Sequence, residues 1–441
     1  MNFIQNKFKP YVDNRRPDYL LLVASSFLMI VGMIFSYSLS IFAVDYYDYS
    51  QFHFFLRQGI VVIMAIFLMW GFAHIRPEVI FFEWKIGWWL FGIFSILLII
   101  MNFLPASLVT ASGGANRWIR LPGFSLSPVE FFKVGFIFFL SQSFHKKFTN
   151  IQKITFIEEL KMLVPYGIVF SFFVFFIAVL QKDLGNVVLL ATILLAMLVF
   201  ADRSFKVFFL LISLAIAGVV SLIMFAPHRV GRIRSWWSSV QDTALSPFPT
   251  WIQDMFKITE YAEPYQVSNS LNAIYNGGWF GEGLAEGGLK LGFLGEVHTD
   301  FVLAGITEEI GFFGFLFILT TLFFIIFRIF RISRRIDNQV YHLFTLGIAL
   351  MISISFLINA YGISGIIPIK GIAVPFLSYG GSSVLALGIA LGMVLSISKE
   401  IEDKKETMPP SYEESDYYHP PREYHLRDEF YDSNYYHSNS K

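Results

Sequence analysis

Long apolar runs separated by short polar stretches dominate the chain from Tyr19 to Ser398. One helical crossing of a hydrocarbon core about 30 Å thick needs roughly 20 apolar residues. Runs of that kind begin near Tyr19, Phe54, Ile86, Ser127, Met162, Leu184, Lys206, Phe301, Tyr341 and Tyr379, and those near Ser127 and Leu184 are the shortest. The pattern predicts an all-α polytopic integral membrane protein with about ten transmembrane helices.

Lys and Arg gather on alternate connections, with Arg15, Arg16, Lys146, Lys147, Arg328, Arg331, Arg334 and Arg335 on one side. Basic residues are retained on the cytoplasmic side. Both termini are therefore expected to be cytoplasmic, and segments 107–126, 227–299 and 365–377 extracytoplasmic. The longest, 227–299, would lie between helices 7 and 8; its Trp236, Trp237, Phe248, Trp251, Met255 and Phe256 suit the headgroup level. The expected organisation is a cytoplasmic N-terminal segment (1–18), a membrane domain (19–398) and a tail (399–441). The tail is rich in Glu, Asp, Tyr, His, Ser and Pro, too poor in aliphatic residues to order itself.

Composition narrows the chemistry. Hydrophobic residues make up 55% of the chain and charged ones 15%, and there is no Cys. Disulfides, thiol nucleophiles and Cys-based metal sites are thereby excluded. The formal net charge of zero says little, because the uneven distribution across a bilayer matters more than the sum.

Against this background an ionisable residue at a membrane edge stands out. Asp300, in EVHTDF, stands where the polar segment turns apolar. It is either a helix N-cap, worth about 1 kcal/mol, or a functional carboxylate. Glu308 and Glu309 follow; on one continuous helix they would stand about 80° and 180° from Asp300, so they cannot share its face. Glu309 is expected to be structural and hydrogen-bonded, Glu308 to be nearer the cavity, and His298 to be interfacial.

Three further segments concentrate polar residues. SGGANRWIRLPGFSLSPVEFFK (112–133) holds Arg117, Arg120, Glu130 and Lys133. Arg117 has the guanidinium fork that matches phosphate oxygens, whereas Glu130 and Lys133 can neutralise each other at helical spacing. QKDLGN (181–186) is a short hairpin carrying Gln181, Lys182 and Asp183, and PIKGIAVPFLSYGGSS (368–383) carries Lys370 and Ser378.

The ordered set GANRW, LSPVEFFK, QKDLG, the Gly-rich stretch ending in EVHTDF, EEIG and PFLSYGGSS resembles the SEDS family (shape, elongation, division and sporulation) over about residues 18–398. The resemblance implies an integral-membrane peptidoglycan glycosyltransferase that polymerises lipid II outside the cytoplasmic membrane. It also implies a class B penicillin-binding protein as partner, other membrane proteins of the division machinery, membrane lipids, no organic cofactor and no nucleic acid. The wording of RWIRLPGFSLSPVEFFK is closer to the division-type members, hence a septal location, than to the elongation type. The family's essential acid falls on Asp300, and its outer-cavity positions fall on Arg117, Lys133, Gln181, Lys182, Asp183, Glu308, Lys370 and Ser378. Three positions depart from the family pattern: Ala285 where Gly is frequent, Gly295 where Pro is usual, and Ile369 where Thr is usual before Lys370.

Joining a sugar hydroxyl to the anomeric carbon of a second lipid-linked disaccharide requires a base and a stabiliser for the departing pyrophosphate. Asp300 would be the base, or would hold a divalent cation such as Mg2+ or Mn2+; Arg117, Lys182 and Lys370 would offset the charge. The alternative is a transporter for lipid-linked precursors. Against it, the candidate residues cluster at the outer helix ends, with Glu308 and Glu309 the deepest.

Overall fold

Asp18 starts the first crossing: its Oδ1 accepts the Leu21 N–H at 3.0 Å and caps α1 (Tyr19–Ser38). The same carboxylate accepts from Arg328 Nε at 2.8 and 3.0 Å, and the Asp18 N–H donates to Ser398 Oγ at 3.0 Å. One capping residue therefore ties three helices together at the end away from Asp300.

The computed structural model describes residues 11, 15–105, 107–112, 115–121, 124–148, 155–200, 205–258, 265–369 and 371–401. Lys370 and the tail 402–441 lie outside them. After α1 come α2 (Ile41–Tyr46), α3 (His53–His74) and α4 (Ile86–Ile100). A three-stranded sheet is followed by α5 (Pro128–Phe148), α6 (Phe156–Val174), α7 (Leu184–Phe200) and α8 (Phe205–Met224). Segment 227–299 then contributes α9 (Pro227–Leu245), α10 (Thr250–Phe256) and α11 (Tyr265–Gly277). The chain closes with α12 (Val302–Arg335), α13 (Gln339–Ile363) and α14 (Gly381–Ser398).

Eight helices among the described residues are long and apolar enough to cross a membrane. The shorter α7 and the more polar α5 occupy the two places where the apolar runs are shortest. The interior is built on α13 and α14, whose apolar windows are 67% and 72% buried; α8, at 6%, is peripheral. Phe81, Phe138 and Phe344 meet at 5.1–6.2 Å between ring centres in the core around α13.

Two features were not expected of an all-α chain with a long outer loop. The stretch after α4 forms an antiparallel sheet of β1 (Val109–Ser112), β2 (Ala115–Leu121) and β3 (Phe124–Leu126). Ser112 pairs with Ala115, leaving two glycines between them in sequence, a hairpin signal that a helix-by-helix reading passes over. Segment 227–299 contributes three helices, α9 to α11. Trp236 donates from Nε1 to Gly365 O at 2.7 Å and Trp237 to Phe256 O at 2.8 Å, so these indoles fasten α9 to its surroundings.

Helix α12 is broken at Gly311, whose φ of 67° and ψ of −172° are not helical. A Cβ there would lie 2.3 Å from Gly281 N, so two glycine backbones cross where a side chain has no room. The half-helix Val302–Ile310 is thereby packed under the Gly-rich segment.

Candidate active site

Asp300 is not the cap of α12; that place belongs to Phe301, which makes no side-chain capping bond. Asp300 ends a turn, its N–H bonding to Glu296 O at 3.0 Å, and the residue is half-buried. Because it precedes the helix, the angular argument relating it to Glu308 and Glu309 does not apply.

Its backbone is held from three sides. Asn359 of α13 donates from Nδ2 to Asp300 O at 2.7 Å and to Ile372 O at 2.9 Å. Ser378 donates to Thr299 O at 2.6 Å and accepts the Val374 N–H at 2.8 Å. The Tyr379 N–H donates to His298 O at 2.8 Å, while Gln58 of α3 accepts the Gly380 N–H at 3.2 Å. Loop 371–380 and turn 296–300 therefore form one hydrogen-bonded unit, in which Ser378 positions the chain beside Asp300. His298 packs 5.0 Å from the Phe54 ring, and burial lowers its pKa, keeping it neutral near pH 7.

Burial, then the charge of Glu296, pushes the Asp300 carboxyl up to about 6 from 3.8; the positive charges of Arg117 and Arg232 oppose this, and that of Asp183 adds to it. The site thus pairs a proton-accepting group poised near neutrality with cations from β2 and α9.

A Cβ built on Gly371 would lie 2.8 Å from Asp300 Oδ2. Gly371→Ala is therefore expected to displace the carboxylate, the flexible partner, rather than the backbone. Activity should fall by about tenfold or more, since small misplacements cost large factors, with the melting temperature nearly unchanged; thermal unfolding alongside the activity assay checks both.

The other predicted positions divide by what they touch. Arg117 donates from Nε to Gln181 O at 3.2 Å and from Nη2 to Lys182 O at 2.9 Å, clamping the sheet onto the 181–183 turn. Gln181 is buried and donates to Leu98 O at 3.4 Å. Asp183 caps α7, its Oδ1 accepting the Asn186 N–H at 3.1 Å and its Oδ2 the Asn186 side chain at 2.9 Å. Lys182, with φ of 52°, presents an exposed side chain. Lys133 is buried and pairs with Glu130 at 2.9 Å, facing a small cavity lined by Ser355, Val374 and Ser383.

Glu308 and Glu309 both bind the Gly-rich segment. Glu308 Oε1 accepts the Leu289 N–H at 3.0 Å. Glu309 is ion-paired with Lys290 and accepts from Ser38 Oγ of α1, which itself accepts the Ala285 N–H at 3.0 Å. Ala285 sits at φ 68°, a left-handed conformation that glycine adopts without the Cβ penalty. Sequence reasoning missed Asn359, Gln58, Lys290, Glu296 and Arg232; the first two lie within apolar runs, where their isolated polarity was the available signal.

Fold and site together define a polytopic membrane protein with a carboxylate-centred polar site at one end of its helices. Residues 18–403 match the family model for cell cycle proteins of the FtsW, RodA and SpoVE group. The probable peptidoglycan glycosyltransferase FtsW of Helicobacter pylori is 45% identical over 385 residues, covering 87% of this chain and 98% of that protein. Stage V sporulation protein E of Bacillus subtilis is 32% identical over 390 residues, covering 87% and 97%. The fold is also that of Thermus thermophilus rod shape determining protein RodA (TM-score 0.57, 17% identity, 87% and 97% covered). It is shared by a chain of a peptidoglycan synthase complex that coordinates polymerization and crosslinking (TM-score 0.61, 19% identity, 87% and 98% covered). The chain belongs to this FtsW/RodA/SpoVE family, the SEDS family.

Proposed function

We propose that this protein is a peptidoglycan glycosyltransferase that polymerises lipid II at the outer face of the cytoplasmic membrane, for septal wall synthesis, alongside a class B penicillin-binding protein. The observation that carries this reading is Asp300: a half-buried acid outside the apolar helices, its pKa raised to about 6, within electrostatic range of Arg117 and Arg232. Asp300 accepts the proton of the acceptor sugar hydroxyl as its oxygen attacks the anomeric carbon of the donor. The bond from that carbon to the pyrophosphate breaks, and undecaprenyl pyrophosphate leaves with the bonding electrons. Cations at the site offset the developing charge, most strongly where water is excluded.

No group of three His, Asp or Glu among the described residues is gathered to hold a metal. A divalent cation, Mg2+ or Mn2+, would instead give Asp300 the role of ligand, and would add positive charge beside the pyrophosphate.

The base must be ionised to act, so polymerisation should fall as pH drops through about 6, with a one-proton slope, and should level off above it. A rate profile from pH 5 to 8 checks this; a limb near 4 would mean an unperturbed carboxylate. The function itself is tested with the purified chain and its partner in vesicles holding lipid II. Glycan made from accessible lipid II, without net movement of lipid across the bilayer, supports the polymerase; movement without glycan replaces it with a transporter.

A further inference from the structure

Helix α9 is fastened at two points along one face of its first half. Arg229, in its first turn, donates from Nη1 to Leu222 O at 2.7 Å and from Nη2 to Ala178 O at 2.5 Å. Ala178 belongs to the π-helical turn Phe175–Leu180 that runs into Gln181–Asp183. Two turns further on, Trp236 donates to Gly365 O, at the start of the loop whose Gly371 abuts the Asp300 carboxylate. Positions 229, 232 and 236 follow three-and-four spacing and so share that face. Arg232 therefore stands between the two attachments, over the space bounded by the 181–183 turn and Asp300.

Arg232 is exposed and makes no hydrogen bond or ion pair with the described residues, although its charge reaches Asp300. The site's other cations differ. Arg117 commits Nε and Nη2 to backbone carbonyls, and Lys182 offers a compact point charge. A free guanidinium fork held on a rigid helix is the group that matches two phosphate oxygens at once.

We propose that Arg232 binds the pyrophosphate of the lipid-linked substrate, entering from α9 opposite Arg117 and Lys182. This rests on the polymerase reading for its substrate class. It also gives segment 227–299 a task that its sequence, read as a loop, did not reveal.

The test is direct binding of undecaprenyl pyrophosphate and undecaprenyl monophosphate to the full chain in nanodiscs, for wild type, Arg232→Ala and Arg232→Lys. Losing a charge-assisted pair should weaken pyrophosphate binding by about 10- to 100-fold in the Ala variant, with a smaller loss for monophosphate and partial recovery with Lys. The melting temperature should stay put because the side chain is exposed. In polymerisation, KM for lipid II should rise more than kcat falls. Pyrophosphate binding within about twofold of wild type, or equal losses for both lipids, overturns the proposal. Failure of the polymerase reading would show separately, as wild type making no glycan from lipid II while the Arg232→Ala binding defect persists.

Discussion

Asp300→Asn is expected to lower lipid II polymerisation by about 10^3-fold while leaving the folded protein at least as stable as the wild type. The first half follows from removing a general base, which contributes typically 10^2–10^4-fold. The second follows from the direction of the pKa. Burial raises the Asp300 carboxyl from 3.8 to about 6, so the folded state binds that proton more tightly than the unfolded state does. The stability this contributes is present below about pH 4 and is lost as pH rises through 6. At neutral pH the ionised group opposes folding, and a neutral amide of the same shape removes that opposition. A purely structural carboxylate would behave in the opposite way, its loss lowering the melting temperature. Parallel activity and thermal-unfolding measurements separate the two.

Glu309→Gln or Lys290→Met, made singly, is expected to destabilise the protein by about 3–5 kcal/mol, because each leaves its partner charged and buried. Both side chains are almost fully buried, and the pair joins α12 to the Gly-rich segment through Ser38 of α1. The combined Glu309→Gln, Lys290→Met variant should recover much of that loss, since neither charge is then stranded. Unfolding of all three variants in detergent checks this. Independent, additive losses would show that the two groups do not act as a pair.

The hydropathy of the chain made the bundle legible, including the weaker places at α5 and α7, because crossing a bilayer imposes a length and a composition. The carboxylate was legible because charge at a membrane edge is rare. What the sequence concealed depends on chain direction and long-range contact. Asp300 stands outside α12, so angles reckoned along one continuous helix do not relate it to Glu308, and the non-helical Gly311 redirects the chain beyond. Arg117 has a phosphate-binding chemistry in sequence, yet two of its donors are engaged by the 181–183 turn, a contact 64 residues away. Arg232 and Asn359 gain meaning only once α9 and α13 bring them to the same end as Asp300.

The most direct test is polymerisation of labelled lipid II by the purified chain with its transpeptidase partner, comparing wild type with Asp300→Asn at matched folding. Glycan strands from the wild type and none from the variant are the predicted result. Glycan at the wild-type rate from Asp300→Asn would contradict the assignment of Asp300 as the base.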